Sequence, residues 1–471
     1  MKLYKHNDFE KKDSDYRFYE DLYEGDPQTM VNDVYLPRHQ LESIAGNIGS
    51  QKARQTRETL SKYTNFPQRI FKRYQSIMFQ VDPVLDEKAA DLLVKLELLD
   101  NIDGYGTPFF DFIKEKIFKT RFIFGDTFLL TTSDGERIIW DCINPRGVPD
   151  YQFTKGVLSL FRYEYEVMAT RTSSQEKPKA ELYSDEYALI DNKVFLIRYK
   201  AKESVEKGKE PDWAIISNDL VTNFEDLPIG ILLGDSFIKS SAPDILTYHG
   251  LKSSLLNQIY HQAYQKVIIS GNVDDNTVLT TSEYTFAVIK TSDQSPATVT
   301  VIEPSNPQAL IQEKNATEIN IMKAAFHLNR TMPTDSAASE SAENQEKAKE
   351  DLINAIKTEI GSLERLVNKG LNDIAIQAGI FNYEGKCEFN TKIDISNLDQ
   401  QLREEMAYKA DAEKYSKWIK AQLIKAVNRQ GYDEEVTAGI VEQIEKGDIV
   451  QPKGIAAPVT TNAPAITLNN A

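Results

Sequence analysis

Apolar residues between positions 352 and 378 recur at helical spacing. They follow one another at intervals of three or four residues: Leu352, Ile356, Ile360, Leu363, Val367, Leu371, Ile374 and Ala378. This spacing predicts a helix from about Ser341 to Ala378, ~57 Å long at about 1.5 Å per residue. A helix of this length is more typical of a strut in an assembly than of a catalytic scaffold. Its apolar stripe is therefore predicted to pack on neighbouring subunits.

Two other patterns precede this helix along the chain. From Pro37 to Ile102 and from Phe109 to Phe124 the apolar spacing is helical. The period then changes to two, which predicts at least six strands: Phe128–Thr131, Arg137–Trp140, Leu158–Val167, Ala180–Ile190, Lys193–Tyr199 and Trp213–Ile216. The dipeptides Asp134-Gly135 and Asp191-Asn192 predict turns. Helices followed by a run of strands indicate an α+β fold.

A helix, a small β module and a second helix are predicted between residues 245 and 330. The first helix has a stripe at Ile245, Tyr248, Leu251, Leu255, Ile259, Ala263 and Val267. Tyr284–Lys290 and Ala297–Glu303 predict a hairpin. Asn306 and Pro307 are capping signals for the next helix. The simplest arrangement places the two helices side by side, with the β module at their far tip.

The two ends of the chain give weaker patterns. The first 30 residues are charged and tyrosine-rich, and they are predicted to form a loosely held arm. Cys387–Ile395 predicts a returning strand, and helices are predicted from Leu398 to about Gln430 and from Asp433 to Lys446. The residues from Gln451 onward are rich in Ala, Pro, Thr and Asn, a composition that predicts disorder.

Composition narrows the class of protein. The chain has 471 residues with 41% hydrophobic content, enough for two to four domains with real cores. Its two cysteines, Cys142 and Cys387, favour a reducing compartment over a disulfide scaffold. The N-terminus has no apolar run, so no signal peptide is predicted. No stretch of 18 or more apolar residues occurs, so no membrane span is predicted. A soluble, cytoplasmic chain is therefore expected.

The charge distribution has two interpretations. The net charge is −16, which favours either general solubility or a surface that must not adhere to a passing polyanion. The loop before the long helix carries three further acidic residues, Asp335, Glu340 and Glu343. Their charges could repel a polyanion, or they could simply stabilise the N-terminus of the helix through its dipole. The basic segment from Gln51 to Arg73 is interpreted first as a solvated helix face, and phosphate binding there is the alternative.

Signals of catalysis are weak in this sequence. Gly234-Asp235-Ser236 after an apolar run resembles the nucleophile block of one class of lipases and esterases. Such enzymes need a histidine base near an aspartate, and none of the five histidines follows an aspartate at the usual spacing. The sequence contains no Cys-x-x-Cys, His-Glu-x-x-His or phosphate-binding-loop pattern. Neither an enzyme nor a metal site is predicted, and no cofactor is expected.

Short blocks of the chain, taken in order, resemble the portal proteins of tailed phages. The blocks are Tyr35-Leu36-Pro37-Arg38 with Glu42, Arg54, Asn65, Phe79-Gln80-Val81-Asp82-Pro83, Phe124-Gly125-Asp126-Thr127, the helix–β–helix region, and Met332-Pro333 with Ser339 and Glu343. The resemblance implies a dodecameric ring at one capsid vertex and a channel for double-stranded DNA. It also implies docking of the terminase large subunit, a head-completion adaptor, and major capsid and scaffold proteins, without a membrane. The expected location is the virion, after assembly in the host cytoplasm.

The resemblance divides the chain as an α+β wing with a helical stem, a β clip, a tunnel helix and an α-helical crown. The parts are an N-terminal arm (1–30), a wing (31–244), a stem helix (245–271), a clip (272–304), a second stem helix (305–330), a tunnel loop (331–341), a tunnel helix with a return strand (342–396), a crown (397–450) and a tail (451–471). The implied channel residues are Thr334, Asp335, Ser336, Ser339, Glu340 and Glu343. The implied docking residues in the clip are Tyr284, Phe286, Lys290 and Asp293.

Other functions stay open at this point. Another oligomeric virion component, such as a different connector or a baseplate protein, fits the same helices. A serine hydrolase using Ser236 is the remote alternative.

Overall fold

The computed structural model describes residues 1–43, 48–133, 137–168, 180–202, 211–221, 224–262, 266–271, 287–290, 298–302, 307–326 and 342–393. The α-helices within these ranges are α1 (Phe9–Glu24), α2 (Pro27–Met30), α3 (Ile48–Leu60), α4 (Phe66–Met78), α5 (Glu87–Lys95), α6 (Phe109–Phe112), α7 (Phe118–Phe124), α8 (Ala242–Gln262), α9 (Gln308–Ala325) and α10 (Ala342–Gln377). A π-helical turn, Ile113–Ile117, joins α6 to α7.

The described strands form four sheets. The strands are β1 (Val84–Leu85), β2 (Thr127–Ser133), β3 (Ile138–Ile143), β4 (Asp150–Thr154), β5 (Val157–Met168), β6 (Ala180–Ile190), β7 (Lys193–Ala201), β8 (Trp213–Val221), β9 (Ile229–Leu232), β10 (Lys266–Gly271), β11 (Ala287–Lys290), β12 (Thr298–Ile302) and β13 (Cys387–Glu388). Their spatial orders are β1-β13, β11-β10-β12, β3-β2-β9 and β4-β5-β6-β7-β8.

The chain divides into two units. The first contains Met1–Pro37, Lys62–His249 and Asn320–Ile395, and therefore holds the five-stranded sheet, the β3-β2-β9 sheet, the β1-β13 pair and all of α10. Among the described residues, the second contains Arg38–Ser61 and Gly250–Ile319, with α3 and the β11-β10-β12 sheet.

The five-stranded sheet confirms the strands predicted between residues 158 and 216. Each strand pairs antiparallel with the next along the chain. The predicted turn between β6 and β7 is also confirmed, because Asp191 and Asn192 have φ values of 50° and 58°. Positive φ at both central residues is the geometry that matches the twist of a two-residue hairpin.

A buried cluster joins the five-stranded sheet to the β3-β2-β9 sheet. Phe128 of β2 contacts Phe161 of β5 with ring centroids 5.3 Å apart. Leu130, Tyr187 and Val194 belong to the same cluster and are almost fully buried. Alternation of apolar residues along the strands aims this face inward, so the two sheets share one core.

The predicted long helix is confirmed as α10, but its predicted packing partner is wrong. Ile360, Leu363, Val367, Leu371 and Ile374 are each 0% exposed within a single chain. They pack on β2, β3 and β9 of the same unit. The periodic stripe correctly predicted that one face of the helix is buried. The surface that covers this face is a sheet of the same subunit and not a neighbouring subunit.

Two glycines allow α10 to lie close to this sheet. A Cβ atom on Gly230 of β9 would lie 2.6 Å from Leu366 Cδ1, and one on Gly370 of α10 would lie 2.6 Å from Trp140 Cζ2. Both distances are too short for an ordinary contact, so the helix and the sheet can approach this closely only because both positions are glycine. A large residue at either position would push them apart.

The expectation of a loosely held arm over residues 1–30 is wrong. Residues 9–24 form α1, in which Tyr16, Leu22 and Tyr23 are buried. The Tyr23 ring meets the Phe71 ring edge-on, with centroids 5.8 Å apart. The polar composition reflects the outer face of an amphipathic helix, whose tyrosines and leucine fill the first unit.

The predicted helix over 245–271 and the predicted hairpin need correction. The helix, α8, ends at Gln262, and residues 266–271 form β10. β10 lies between β11, to which it is parallel, and β12, to which it is antiparallel. Val267 fits the helical spacing, but it opens the β-branched run Val267-Ile268-Ile269, which favours a strand. The two strands predicted to pair with each other pair with β10 instead.

The basic segment is not simply a solvated face. In α3, the side chains of Arg54 and Arg57 are 6% and 1% exposed. Arg57 Nη1 lies 3.4 Å from Glu42 Oε2, and Arg54 Nε donates to Glu58 Oε1 at 2.5 Å. Buried arginines need such anionic partners, so these two serve the second unit's interior.

The remaining domain assignments lie largely outside the description. The return strand predicted over Cys387–Ile395 is too long: only Cys387–Glu388 form a strand, β13, which pairs with β1, and residues 389–393 are not in a strand. The crown (397–450) and the tail (451–471) lie outside the described residues.

Candidate functional site

The N-terminal end of α10 is the described element that directly follows the acidic loop in sequence. Residues 342–351 contain no Leu, Ile, Val, Met or aromatic residue. The first buried stripe residue is Leu352, at 2% exposed. Ten residues of helix correspond to about 15 Å, so roughly the first three turns of α10 precede its first buried apolar residue. Glu350 and Asp351 in this part are exposed.

Most residues that the resemblance singled out lie outside the described part of the chain. Glu343 is the second residue of α10, and Lys290 is the last residue of β11. The others outside the description are Thr334, Asp335, Ser336, Ser339 and Glu340 of the channel set and Tyr284, Phe286 and Asp293 of the docking set. Their assigned roles therefore stay predictions.

An ion pair at the middle of α10 fixes this helix to α7. Arg121 of α7 donates from Nε to Glu359 Oε2 at 3.0 Å and from Nη2 to Glu359 Oε1 at 2.7 Å. A two-pronged guanidinium–carboxylate contact sets orientation as well as distance. The Arg121 side chain is only 7% exposed and also donates to the Gly125 carbonyl. The direction in which α10 leaves the sheet is thus tied to the end of α7.

Gly125 makes the turn that brings these groups together. It ends α7 with φ 80° and ψ −44°. A Cβ atom there would lie 2.2 Å from the Gly234 carbonyl oxygen and 2.5 Å from Ser236 N. Side chains avoid this backbone region, and here the neighbouring backbone leaves no space for one.

Asp126 is the acceptor at the centre of the junction. Its Oδ2 accepts from the Tyr16 hydroxyl at 2.5 Å and from Lys12 Nζ at 2.9 Å, while Oδ1 accepts from Gly234 N at 3.0 Å. The Asp126 side chain is 6% exposed. It joins α1 and the loop after β9 to the start of β2, because a buried carboxylate needs several donors.

The same contacts shift the pKa values of the two donors. Burial, followed by the Asp126 charge, raises the pKa of the Tyr16 hydroxyl. For Lys12, burial lowers the pKa, but hydrogen bonds to Asp126 and Tyr151 outweigh it and the net shift is upward. Both groups therefore stay protonated around neutral pH, and the junction keeps its donors.

Ser236 is committed to the chain's own backbone. Its hydroxyl donates to the Phe122 carbonyl oxygen at 3.2 Å and accepts from Ile238 N at 3.1 Å. Two of the histidines with described side chains bond elsewhere: His39 Nε2 lies 3.0 Å from Ser254 Oγ, and His249 Nε2 lies 3.0 Å from the Met30 carbonyl oxygen. This geometry gives Ser236 the role of a turn residue.

Sequence patterns did not identify the buried acid of α10, Asp373. Its side chain is 0% exposed, and Lys369 Nζ donates to its Oδ1 at 2.5 Å. Burial raises the pKa of Asp373 to about 6, and Lys369 opposes that shift. The available signal was a Lys–Asp pair at a spacing of four, which usually marks an exposed helix face.

The described part of the chain offers neither a metal site nor a membrane-spanning helix. They include no cluster of three or more His, Cys, Asp or Glu side chains arranged to hold a metal ion. No helix in the described ranges is both long enough and apolar enough to cross a bilayer.

The chain resembles known proteins at the level of solved structures. No family model matches the chain, and no curated protein matches it. Among solved structures, it is similar to a chain in the neck of an empty GTA particle computed with C6 symmetry. The two share 10% identity with a TM-score of 0.37, over 85% of this chain and 91% of that one.

Proposed function

We propose that this chain is a tailed-phage portal protein, a subunit of a dodecameric ring at one capsid vertex through which double-stranded DNA is packaged and ejected. The order of elements carries the proposal: α8, the small β11-β10-β12 sheet, α9 and then α10, the longest described helix. The portal resemblance assigns this order to a stem helix, a clip, a second stem helix and a tunnel helix.

The charge around the start of α10 suits a channel for DNA. From residue 331 to residue 351 the chain carries six acidic residues and two lysines. Repeated around a ring, this excess would repel phosphates within a Debye length of ~8 Å. Tight phosphate contacts would have to be broken at each step of DNA movement, so a repelling wall lets the duplex slide.

The burial of the α10 stripe changes which surfaces must join the subunits. That stripe is covered within one chain, so it cannot also hold a neighbour. Leu251 and Ile259 of α8 and Leu310 and Ile311 of α9 are only half-buried. Half-exposed apolar positions on two helices can gain further burial by packing on a second copy. We assign subunit contact to this part of α8 and α9.

The proposed portal has no catalytic centre and no cofactor of its own, so the motor that packages DNA is a separate protein, the terminase. The segment from Asn272 to Pro304, which includes β11 and β12, is assigned the docking of the terminase and later of a head-completion adaptor. Charge reversal in this segment is expected to weaken docking without changing ring mass. Unchanged docking would place the tip elsewhere.

The mass of the purified chain tests the ring. Light scattering should give about twelve times 53.5 kDa, and Leu251→Glu should reduce this mass because a charge would enter the proposed contact. Thr247→Glu is the matched control, since Thr247 lies on the same helix and is exposed. Circular dichroism of both variants separates lost assembly from lost folding. A monomer in the unmodified protein, at a concentration where its fold is intact, would contradict the ring.

A different oligomeric virion component is the second candidate. The observation that favours it is the covered α10 stripe, because a helix that is fully packed in its own subunit is not needed as an intersubunit strut. Such a component would form a ring without an axial channel wide enough for a DNA duplex. A hydrolase is not favoured, and absence of ester turnover by the unmodified protein would remove it.

A further inference from the structure

One carboxylic acid lies inside the apolar contact between α10 and the sheet. Asp373 is 0% exposed, and its helix neighbours Leu371, Ile374 and Ala375 are also 0% exposed. An ionised carboxylate in such surroundings loses its water and must find compensation from nearby groups. The charge state of this residue therefore bears on how firmly the last turns of α10 are held.

The compensation is incomplete. Oδ1 accepts a hydrogen bond from Lys369 Nζ at 2.5 Å, and the same ammonium group lies 3.4 Å from the Leu227 carbonyl oxygen. Oδ2 is buried and accepts no hydrogen bond from the described residues. The Lys369 side chain is 35% exposed, so water shares its charge. One partly solvated cation thus faces a fully buried acid.

A second acid acts on the same place. Asp226 lies in the segment before β9, next to Leu227, and its charge raises the pKa of Asp373. Lys369 from α10 and Asp226 from this segment are the charged groups that act on Asp373. Of the three strands of the β3-β2-β9 sheet, which packs on α10, β2 and β9 carry no charged side chain and β3 carries Asp141. Burial, rather than either neighbour, is the largest influence, and the pKa of Asp373 is about 6.

We propose that Asp373 is a proton-operated latch that holds the C-terminal turns of α10 on the segment before β9. When the acid is neutral, no negative charge is buried at this position and the closed contact is favoured. When the acid ionises, the buried charge favours opening, in which Asp373 reaches water. This inference concerns one subunit and stands apart from the proposed ring.

The direction of the pH effect follows from the two states. In the closed state the pKa of Asp373 is raised to about 6 from its ordinary value of 3.8. Below about pH 4 both states are protonated, and the closed state has its full stability. As pH rises from about 4 to about 6, the open state ionises first and the closed state loses stability. Above about pH 6 the closed state has lost all of this stability. The pKa values of the two states differ by about two units and each unit changes an equilibrium constant tenfold, so the opening equilibrium constant rises on the order of 100-fold.

Hydrogen exchange in the full-length chain tests the latch. Amides of residues 369–378 should open about 25-fold more often at pH 7.5 than at pH 4.5, after correction for the intrinsic pH dependence of exchange. Asp373→Asn keeps the side-chain shape and cannot ionise, so its opening should be independent of pH. Asp351→Asn is the matched control on an exposed acid of the same helix, and it should retain the dependence.

A second variant keeps the test independent of Asp373→Asn. Lys369→Gln removes the cation that opposes the upward shift, so the midpoint of the opening profile should move to higher pH. The latch is overturned if opening in the unmodified chain is constant across this range. It is also overturned if Asp373→Asn keeps the pH dependence, or if Lys369→Gln moves the midpoint to lower pH.

Discussion

Replacing Gly125 by alanine should damage the junction that orients α10. The new Cβ would lie 2.2 Å from the Gly234 carbonyl oxygen and 2.4 Å from the Asp235 carbonyl carbon. These are backbone atoms and cannot rotate away. Overpacking of this kind costs about 1–3 kcal/mol, and a side chain at positive φ adds about 1–2 kcal/mol. A total loss of about 2–5 kcal/mol in unfolding free energy is expected.

Gly361→Ala is the matched control in the same chain. Gly361 lies within α10, and a Cβ there would meet nothing within 4 Å. Alanine favours a helix over glycine by about 1 kcal/mol, so this variant should be slightly more stable than the parent. The same substitution is thus expected to act with opposite sign at two positions.

Thermal unfolding followed by circular dichroism measures both variants. A change of 1 kcal/mol moves the midpoint by about 2–4 °C in a domain of 150–250 residues. Gly125→Ala should therefore lower the midpoint by several degrees or prevent folding, while Gly361→Ala should raise it slightly. Equal midpoints for Gly125→Ala and the parent would refute the close approach between the α7–β2 turn and the loop after β9.

The remaining predictions concern the α10 stripe, the acidic loop and a buried thiol. Ile360→Ala should lower the unfolding free energy by about 2–5 kcal/mol in denaturant titrations, whereas the exposed Lys357→Ala should change it little; equal effects would show that the stripe is not buried. A triple variant with lysine at Asp335, Glu340 and Glu343 should block DNA packaging in vitro and leave the ring mass unchanged. Normal packaging would show that the loop does not face DNA. Burial, together with the charge of Glu364, raises the pKa of the Cys387 thiol to about 12. Iodoacetamide at pH 8 should therefore label Cys387 only after the chain is unfolded in urea. Rapid labelling of the folded chain would contradict this burial.

Local patterns predicted much of the framework. Alternation in β5 to β7 and the Asp191-Asn192 turn identified the strands, and the stripe through Ile360 identified α10. These signals depend on neighbours within a few residues. Val267 shows the limit, because a single β-branched residue can continue a helical stripe or begin a strand.

The long-range contacts could not be predicted from spacing. Asp126 takes its donors from Tyr16 and Lys12, which are more than 100 residues away in sequence. The partner of the α10 stripe is equally distant, since Gly230 and Trp140 belong to strands far from Leu366 and Gly370 in the sequence. A periodic pattern shows which face of an element is buried but does not specify the surface that covers it.

Electron micrographs of the purified chain test the central claim most directly. The account predicts rings with an axial channel wide enough for a DNA duplex, in which α8 and α9 of adjacent subunits are in contact. Isolated monomers, or rings closed at the axis, would contradict a DNA conduit.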